Sequence, residues 1–337
     1  MMFRDLFEKL CRHEDLSSDE AAQAMGAIMD GDATPAQIAG LLVALALKGE
    51  RPGEIVGFAR AMIARAVAVP APLGTVFDTC GTGGDGAHTF NVSTAAALVV
   101  AGAGVPVAKH GNRAASSRAG SADVFEALGV AVDGPVDRVP TALRDASLAF
   151  LFAPVWHPSM RHAAAARREL GVRSAFNLLG PLTNPARPSR QIVGVSRPEH
   201  TELVGRALGA LGAERAWVVH GAGGLDEIST LGHTKVSELR HGTVNTFYVH
   251  PADFGLPLAR LEDLAGGSAG DNARTIEGLL DGETGPRRDI VLMNAGAALF
   301  VAGAAESMGA GIDLAARSVA TGGARGVLER LRKVSPR

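Results

Sequence analysis

The chain has 337 residues, with 33 Lys and Arg against 35 Asp and Glu and a formal charge of −2. That balance provides no broad field for nucleic acid or an anionic membrane, so neither is expected as a partner. A hydrophobic share of 47% and a charged share of 20% are those of a globular protein, long enough for one large domain or two smaller ones. The two cysteines, Cys11 and Cys80, suggest neither a disulfide framework nor a metal spacing, and Cys80 reads as a small buried filler. Residues 1–8 are charged and lack a secretory apolar core. The longest apolar run, around residues 95–107, is broken by Gly102, Gly104 and Pro106 and falls short of a membrane span. A cytoplasmic location is expected.

The first stretch reads as helices only. Ser17 and Glu20 frame a capping box ahead of an apolar-periodic run ending at Gly31. Thr34 and Pro35 supply a cap and a first helical residue for a helix carrying Ile38, Leu41, Leu42, Leu45 and Leu47. Residues 52–69 read as another helix, and Pro70, Pro72 and Gly74 as a linker. The apolar faces of this unit suit either packing on the rest of the chain or a dimer interface.

From Val76 onward, strands and helices alternate. Candidate strands at 76–78, 105–109, 149–153, 192–195 and 217–220, separated by helical patterns, predict a mainly parallel central sheet. Residues 235–250 alternate β-branched and polar side chains and add antiparallel strands. Residues 261–280 and 289–331 read as closing helices. The expected class is therefore α/β, with a small N-terminal helical domain and a large α/β domain. The expected boundaries are 1–72, joined by part of 155–185 through a helix near 157–170, and 73–337.

Residues 78–123 carry the chemistry. A buried strand over residues 75–80 runs into Gly81-Thr82-Gly83-Gly84-Asp85-Gly86, whose missing Cβ atoms let backbone N–H groups approach a phosphate. Asn91-Val92-Ser93-Thr94 then opens a helix that is apolar on every face; such residues cap helices, and a helix start attracts anions. The spacing Gly81-x-Gly83-x-x-Gly86 also matches a dinucleotide fingerprint. That reading fails because residues 87–90 separate the glycines from the helix. The next strand also ends in Lys109-His110 rather than in an acid for a ribose. Lys109 and Arg113, around Gly111 and Asn112, lie at the strand end where open α/β sheets bind ligands. Ser116, Ser117, Gly120 and Ser121 suit a diphosphate and a plain helix cap equally.

Further along, Asp226 and Glu227 follow a strand and the turn Gly221-Ala222-Gly223-Gly224. Two adjacent carboxylates there suit Mg²⁺, and also suit a solvated acidic pair. Arg167-Arg168-Glu169 is either a surface patch or a fork for a carboxylate. His110 either packs structurally or meets an aromatic ligand, and His157 before Pro158 reads as a turn cap.

The blocks GTGGDG, NVST, KHGNRAASS, GSAD, RRELGVRSAFNLLGPLTNPA and HGAGGLDEIS stand in one order along nearly the whole chain. In that order they resemble the anthranilate phosphoribosyltransferase family of tryptophan biosynthesis. The resemblance implies transfer of a phosphoribosyl group from phosphoribosyl pyrophosphate to the amine of anthranilate, with release of pyrophosphate. It implies a magnesium-dependent enzyme with two ions per chain, and a homodimer formed through the N-terminal helices. By motif, Gly81, Gly84, Asp85, Thr89, Asn91, Val92, Ser93 and Thr94 would line the donor site. Lys109, His110, Gly111, Asn112, Arg113, Ala114, Ala115, Ser116 and Ser117 would wrap the pyrophosphate, with Ser121 closing it. Lys109 and Arg113 would steady the leaving group. Gly81, Asn112 and Arg167 would hold anthranilate, and Ser93, Asp226 and Glu227 the metal. Two departures stand out: Leu47 replaces the family's usual arginine, a change expected to concern packing, and the bland run at 163–166 bears on the acceptor's entry path. A pyrimidine nucleoside phosphorylase and a nucleic-acid-binding relative are the rival readings. The first would need a nucleobase pocket in place of the Arg167 segment; the second would need a basic surface.

Overall fold

The computed structural model describes residues 2–70, 73–114 and 118–336. Four helices come first: α1 (Met2–Cys11), α2 (Ser18–Asp30), α3 (Pro35–Lys48) and α4 (Pro52–Ala64). The box before α2 is reciprocal: the Glu20 amide donates to Ser17 Oγ (3.2 Å) and the Ser17 amide to the Glu20 carboxylate (2.9 Å). Thr34 and Gln37 repeat the arrangement before α3. Helix α4 stops at Ala64, short of the expected residue 69. The Arg65 side chain turns back to Asp30 (2.6 Å) and to the Ala61 carbonyl (3.3 Å), while the Val67 amide leaves for the Trp156 carbonyl (2.8 Å). Leu47 is 78% exposed and does not pack within the chain: it lies on the outer face of α3, opposite buried Ile38, Leu41, Leu42 and Leu45.

Seven strands follow: β1 (Phe77–Gly81), β2 (Val107–Gly111), β3 (Leu148–Phe152), β4 (Arg190–Gly194), β5 (Arg215–Gly221), β6 (Thr234–Arg240) and β7 (Thr243–Val249). They form one sheet in the order β3-β2-β1-β4-β5-β6-β7. The first five are parallel, and β6 and β7 are the expected antiparallel addition. Their hairpin turns at His241-Gly242, both at positive φ, as a two-residue turn requires. Between strands run α5 (Val92–Gly102), α6 (Ser121–Ala127), α7 (Val139–Ala146), α8 (Ala153–Trp156), α9 (Arg161–Leu170), α10 (Ala175–Leu179) and α11 (His200–Ala210). Helices α12 (Ala269–Leu280), α13 (Pro286–Ala302), α14 (Met308–Ala320) and α15 (Gly323–Val334) close the chain. The expected helix over 261–280 is broken. Gly266 and Gly267 separate a short turn at Leu261–Leu264 from α12, and the Gly266 amide pairs with the His88 carbonyl (2.8 Å).

Two hydrophobic clusters hold these layers. Helix α5, buried on every face, sits between the sheet and helices α13 to α15. On the opposite face, Val193, Val195, Ala216 and Val218 of the β4–β5 region pack with α2, α3, α4, α9, α10 and α11. The helical unit thus buries its apolar stripe against the sheet and against α9 and α10. Strand order reverses between β1 and β4, and such a reversal opens a crevice at the carboxyl ends of the strands.

Candidate functional site

Strands β1, β2, β4 and β5 each end on a glycine: Gly81, Gly111, Gly194 and Gly221. Gly81 is still paired in the sheet, opposite Gly194, so the glycine loop starts one residue later than expected. For three of these glycines the reason is a single segment. Asp226 and Glu227 lie across the tips of β1, β4 and β5. A Cβ on Gly81 would overlap the Asp226 carboxylate, one on Gly194 the Asp226 carbonyl, and one on Gly221 the Glu227 carbonyl. Behind the segment, Asn294 of α13 accepts from the Ile228 amide (2.9 Å) and donates to its carbonyl (2.8 Å).

From this position the two carboxylates reach the other motifs. Asp226 Oδ2 accepts from the Gly83 amide (2.7 Å), and Glu227 Oε1 from the Ser93 amide (3.1 Å) at the start of α5. Burial holds both carboxyls well above the usual carboxylate range, reinforced by Asp85 for Asp226 and by Asp226 for Glu227. Crowded, partly desolvated carboxylates of this kind fit a divalent cation. Mg²⁺ needs only one or two protein carboxylates, with phosphate and water filling the rest. Among the described residues, no three of His, Cys, Asp and Glu already form a closed metal cage.

Several expected donor contacts take a different form. Lys109 is only 1% exposed, and its Nζ donates to the Thr79 carbonyl and to Ser93 Oγ (3.3 Å). Its strand lies inside the sheet, so the ammonium ends on neighbouring groups and acts from beneath Ser93 rather than by touching the crevice. The Arg113 fork is occupied by Glu126 (2.7 and 2.8 Å) and Asp123 (3.0 Å) of α6. In this arrangement it faces carboxylates rather than a leaving group. Asn91 precedes α5 but does not cap it with its side chain. Its Nδ2 donates to the Ala119 carbonyl (3.1 Å) and its Oδ1 accepts from Asn272 of α12 (2.8 Å), joining two loops instead. Val92 offers no direct contact, because its side chain is in the core and its amide bonds the Phe90 carbonyl. Thr94 is fully buried, and its hydroxyl has no partner among the described residues.

Other expected residues lie on the loops that follow β1 and β2. Gly84, Asp85 and Thr89 line the loop, with Asp85 Oδ1 accepting from the Ala87 amide (3.1 Å). Asn112 is exposed after β2, its Oδ1 bonded to the Arg113 amide (2.8 Å), and Ser121 Oγ donates to the Asn112 carbonyl (3.4 Å). A Cβ on Gly111 would overlap that Ser121 hydroxyl. Asp123 gathers the same turn, accepting from the amides of Ala114 (3.0 Å) and Gly120 (2.9 Å). Ala115, Ser116 and Ser117 lie outside the described residues.

At the end of α9, the Arg167 guanidinium stands 4.8 Å from the Phe176 ring centre and has no ion pair among the described residues. His110 is buried and lies 5.3 Å from His157. Its Nδ1 meets the Gly180 carbonyl (3.0 Å), its Nε2 has no partner among the described residues, and burial followed by His157 pulls its pKa down to about 3. His157 does not cap its turn, since its Nε2 reaches the Thr183 carbonyl (2.8 Å).

Sequence reasoning missed four supports. Arg173 bonds the glycine loop, Asn184 bonds buried Asp78 (2.8 Å), Asn272 holds Asn91, and Asn294 holds the acidic segment. Asn294 had a signal, being a lone amide inside the apolar run of α13. Arg173 and Asn184 stood inside the block RRELGVRSAFNLLGPLTNPA without a role assigned to them, and Asn272 had no signal that a local window shows.

Models of the glycosyl transferase family match the chain twice: the helical bundle domain over residues 4–66 and the a/b domain over residues 73–325. These matches define the class as a two-part glycosyl transferase. The anthranilate phosphoribosyltransferase of Moorella thermoacetica is 53% identical over 98% of this chain and 97% of its own length. Among solved structures, the Thermus thermophilus enzyme of that name superposes with a TM-score of 0.91 at 47% identity, over 97% of this chain and 98% of that one. The Saccharomyces cerevisiae enzyme, solved in complex with PRPP and Mg, gives a TM-score of 0.88 at 29% identity, over 98% of this chain and 97% of that one. The chain belongs to the anthranilate phosphoribosyltransferase family.

Proposed function

We infer that this chain transfers the phosphoribosyl group of 5-phosphoribosyl 1-pyrophosphate to the amine of anthranilate, giving N-(5-phosphoribosyl)anthranilate and pyrophosphate. The observation that carries the reading is the acidic segment laid across the glycine-ended strand tips and bonded to both the glycine loop and the start of α5. It brings anion-binding backbone and metal-binding carboxylates to one crevice. Gly81, Gly84, Asp85, Thr89, Asn91, Ser93, Gly111, Asn112 and Ser121 surround the donor. Asp226, Glu227 and the Ser93 hydroxyl hold Mg²⁺, two ions per chain. When bound, the metal neutralises charge on the diphosphate. Arg167, free of a carboxylate, pairs with that of anthranilate, while Asn112 and Gly81 orient the ring and amine. An aromatic amine is unprotonated at neutral pH, so the reaction needs positioning and exclusion of water more than a strong base.

The helical domain comprises residues 1–72 with part of 155–185, and the α/β domain the remainder. Val43 (36% exposed) and Leu47 (78%) stand one turn apart on α3, which supports a homodimer through the N-terminal helices. No helix among the described residues is long and apolar enough to cross a membrane; we place the enzyme in the cytoplasm. Loss of anthranilate fluorescence on adding phosphoribosyl pyrophosphate tests the reading, with and without Mg²⁺. No consumption under either condition would overturn it.

A further inference from the structure

The glycine loop is gripped from two sides. From the sheet, Asp226 takes the Gly83 amide (2.7 Å). From the helical side, Arg173 Nη1 donates to the carbonyls of both Gly83 and Gly84, each at 2.9 Å. Gly83 and Gly84 lie at φ +68 and +71, and a Cβ on Gly84 would overlap Arg173 Nη1. The close approach therefore needs glycine twice over, for its backbone angle and for its missing side chain.

A trans peptide places its C=O and the following N–H on opposite sides of one rigid plane. No peptide among the described residues is cis. Pinning the Gly83 and Gly84 carbonyls toward Arg173 therefore turns the amides of Gly84 and Asp85 the other way. Neither amide has a partner among the described residues. Successive free amides of this kind form an anion-binding nest.

Arg173 sits between α9 and α10, which pack on α2, α3 and α4. The same short segment carries Arg167 on α9 and its ring partner Phe176 on α10. We propose that Arg173 is a positioning residue that fixes the orientation of the glycine loop's peptides, and so its free amides, for the diphosphate of the donor. It also ties that loop to the element carrying the acceptor's arginine. The proposal rests on the transferase reading for its ligand, but the geometry of the grip does not.

Two measurements on Arg173→Ala and Arg173→Lys separate the possibilities. Hydrogen exchange over residues 82–88 in the ligand-free enzyme should rise at least about tenfold in Arg173→Ala and less in Arg173→Lys, with the thermal midpoint little changed. The KM for phosphoribosyl pyrophosphate should rise about tenfold or more in Arg173→Ala, that for anthranilate by less, with partial rescue in Arg173→Lys. Unchanged exchange in Arg173→Ala would overturn the proposal. So would a donor KM within twofold of wild type. A wild-type enzyme without transferase activity would remove the transferase reading and leave exchange as the test of the grip.

Discussion

At single positions, the chemistry of the crevice depends on atoms that are missing as much as on atoms that are present. Gly194 has a backbone that other residues could adopt, yet the Asp226 carbonyl lies where its Cβ would be. Gly194→Ala should push the acidic segment off the strand tips, lowering magnesium-dependent turnover by about 100-fold and stability by roughly 1–3 kcal/mol. Gly180→Ala is the control: nothing lies near a Cβ there and its φ is −50, so it should stay within about 0.5 kcal/mol. Kinetics and urea unfolding of both variants check the contrast. His110 supplies a second test. It stays neutral in the fold, with a pKa of about 3 against the usual 6.5. Below pH 6.5 the unfolded chain takes up a proton that the folded chain refuses. The stability contribution is therefore whole above pH 6.5 and falls away toward pH 3, at up to about 1.4 kcal/mol per pH unit. Unfolding free energies of wild type and His110→Asn between pH 7 and 4.5 should show a shallower acid-side slope in the variant. Equal slopes would mean that His110 takes up its proton in the folded state too.

At the scale of elements, local rules worked where the interaction is local. The boxes at Ser17 and Thr34, the Gly31 stop and the hairpin after Thr234 all depend on contacts a few residues apart. Strand ends were less legible. Pro106 has no N–H to give, so β2 begins at Val107, and β1, β2 and β5 run on to their glycines. Helix α4 was overextended because the bonds that end it come from Asp30 and Trp156 in other elements. The helical unit also hides a buried ion pair. Glu54 accepts from the amides of Leu16 (2.9 Å) and Arg51 (2.8 Å) and pairs with Lys48 Nζ (3.1 Å). Glu54→Ala strands both amides, while Lys48 keeps Asp15 (2.8 Å) and the Gly49 carbonyl (2.9 Å), and the change should cost about 2–4 kcal/mol in urea unfolding. A loss below about 1 kcal/mol would show that water replaces the carboxylate.

For the molecule as a whole, the sheet's reversal between β1 and β4 makes the crevice, and helices α9 and α10 bring the helical unit over it. Self-association is the open test at this scale. Leu47→Glu changes a side chain that is 78% exposed, so the single chain should unfold within about 0.5 kcal/mol of wild type. Light scattering should nevertheless show a dimer converted to monomer. A dimer of unchanged affinity would move the interface away from this face of α3.

The order of helices and strands, the parallel sheet, the glycine loop and the acidic pair were all written locally, because caps, alternation and contiguous motifs act over a few residues. Which of those residues face the crevice was settled only by folding. Lys109 went beneath it, Arg113 went to α6, and Arg173 came to grip the loop. The Arg173 grip and the Asp226 bond to the Gly83 amide span 90 and 143 residues. Such bonds exist only once the packed layers bring the segments together, and no local preference encodes them.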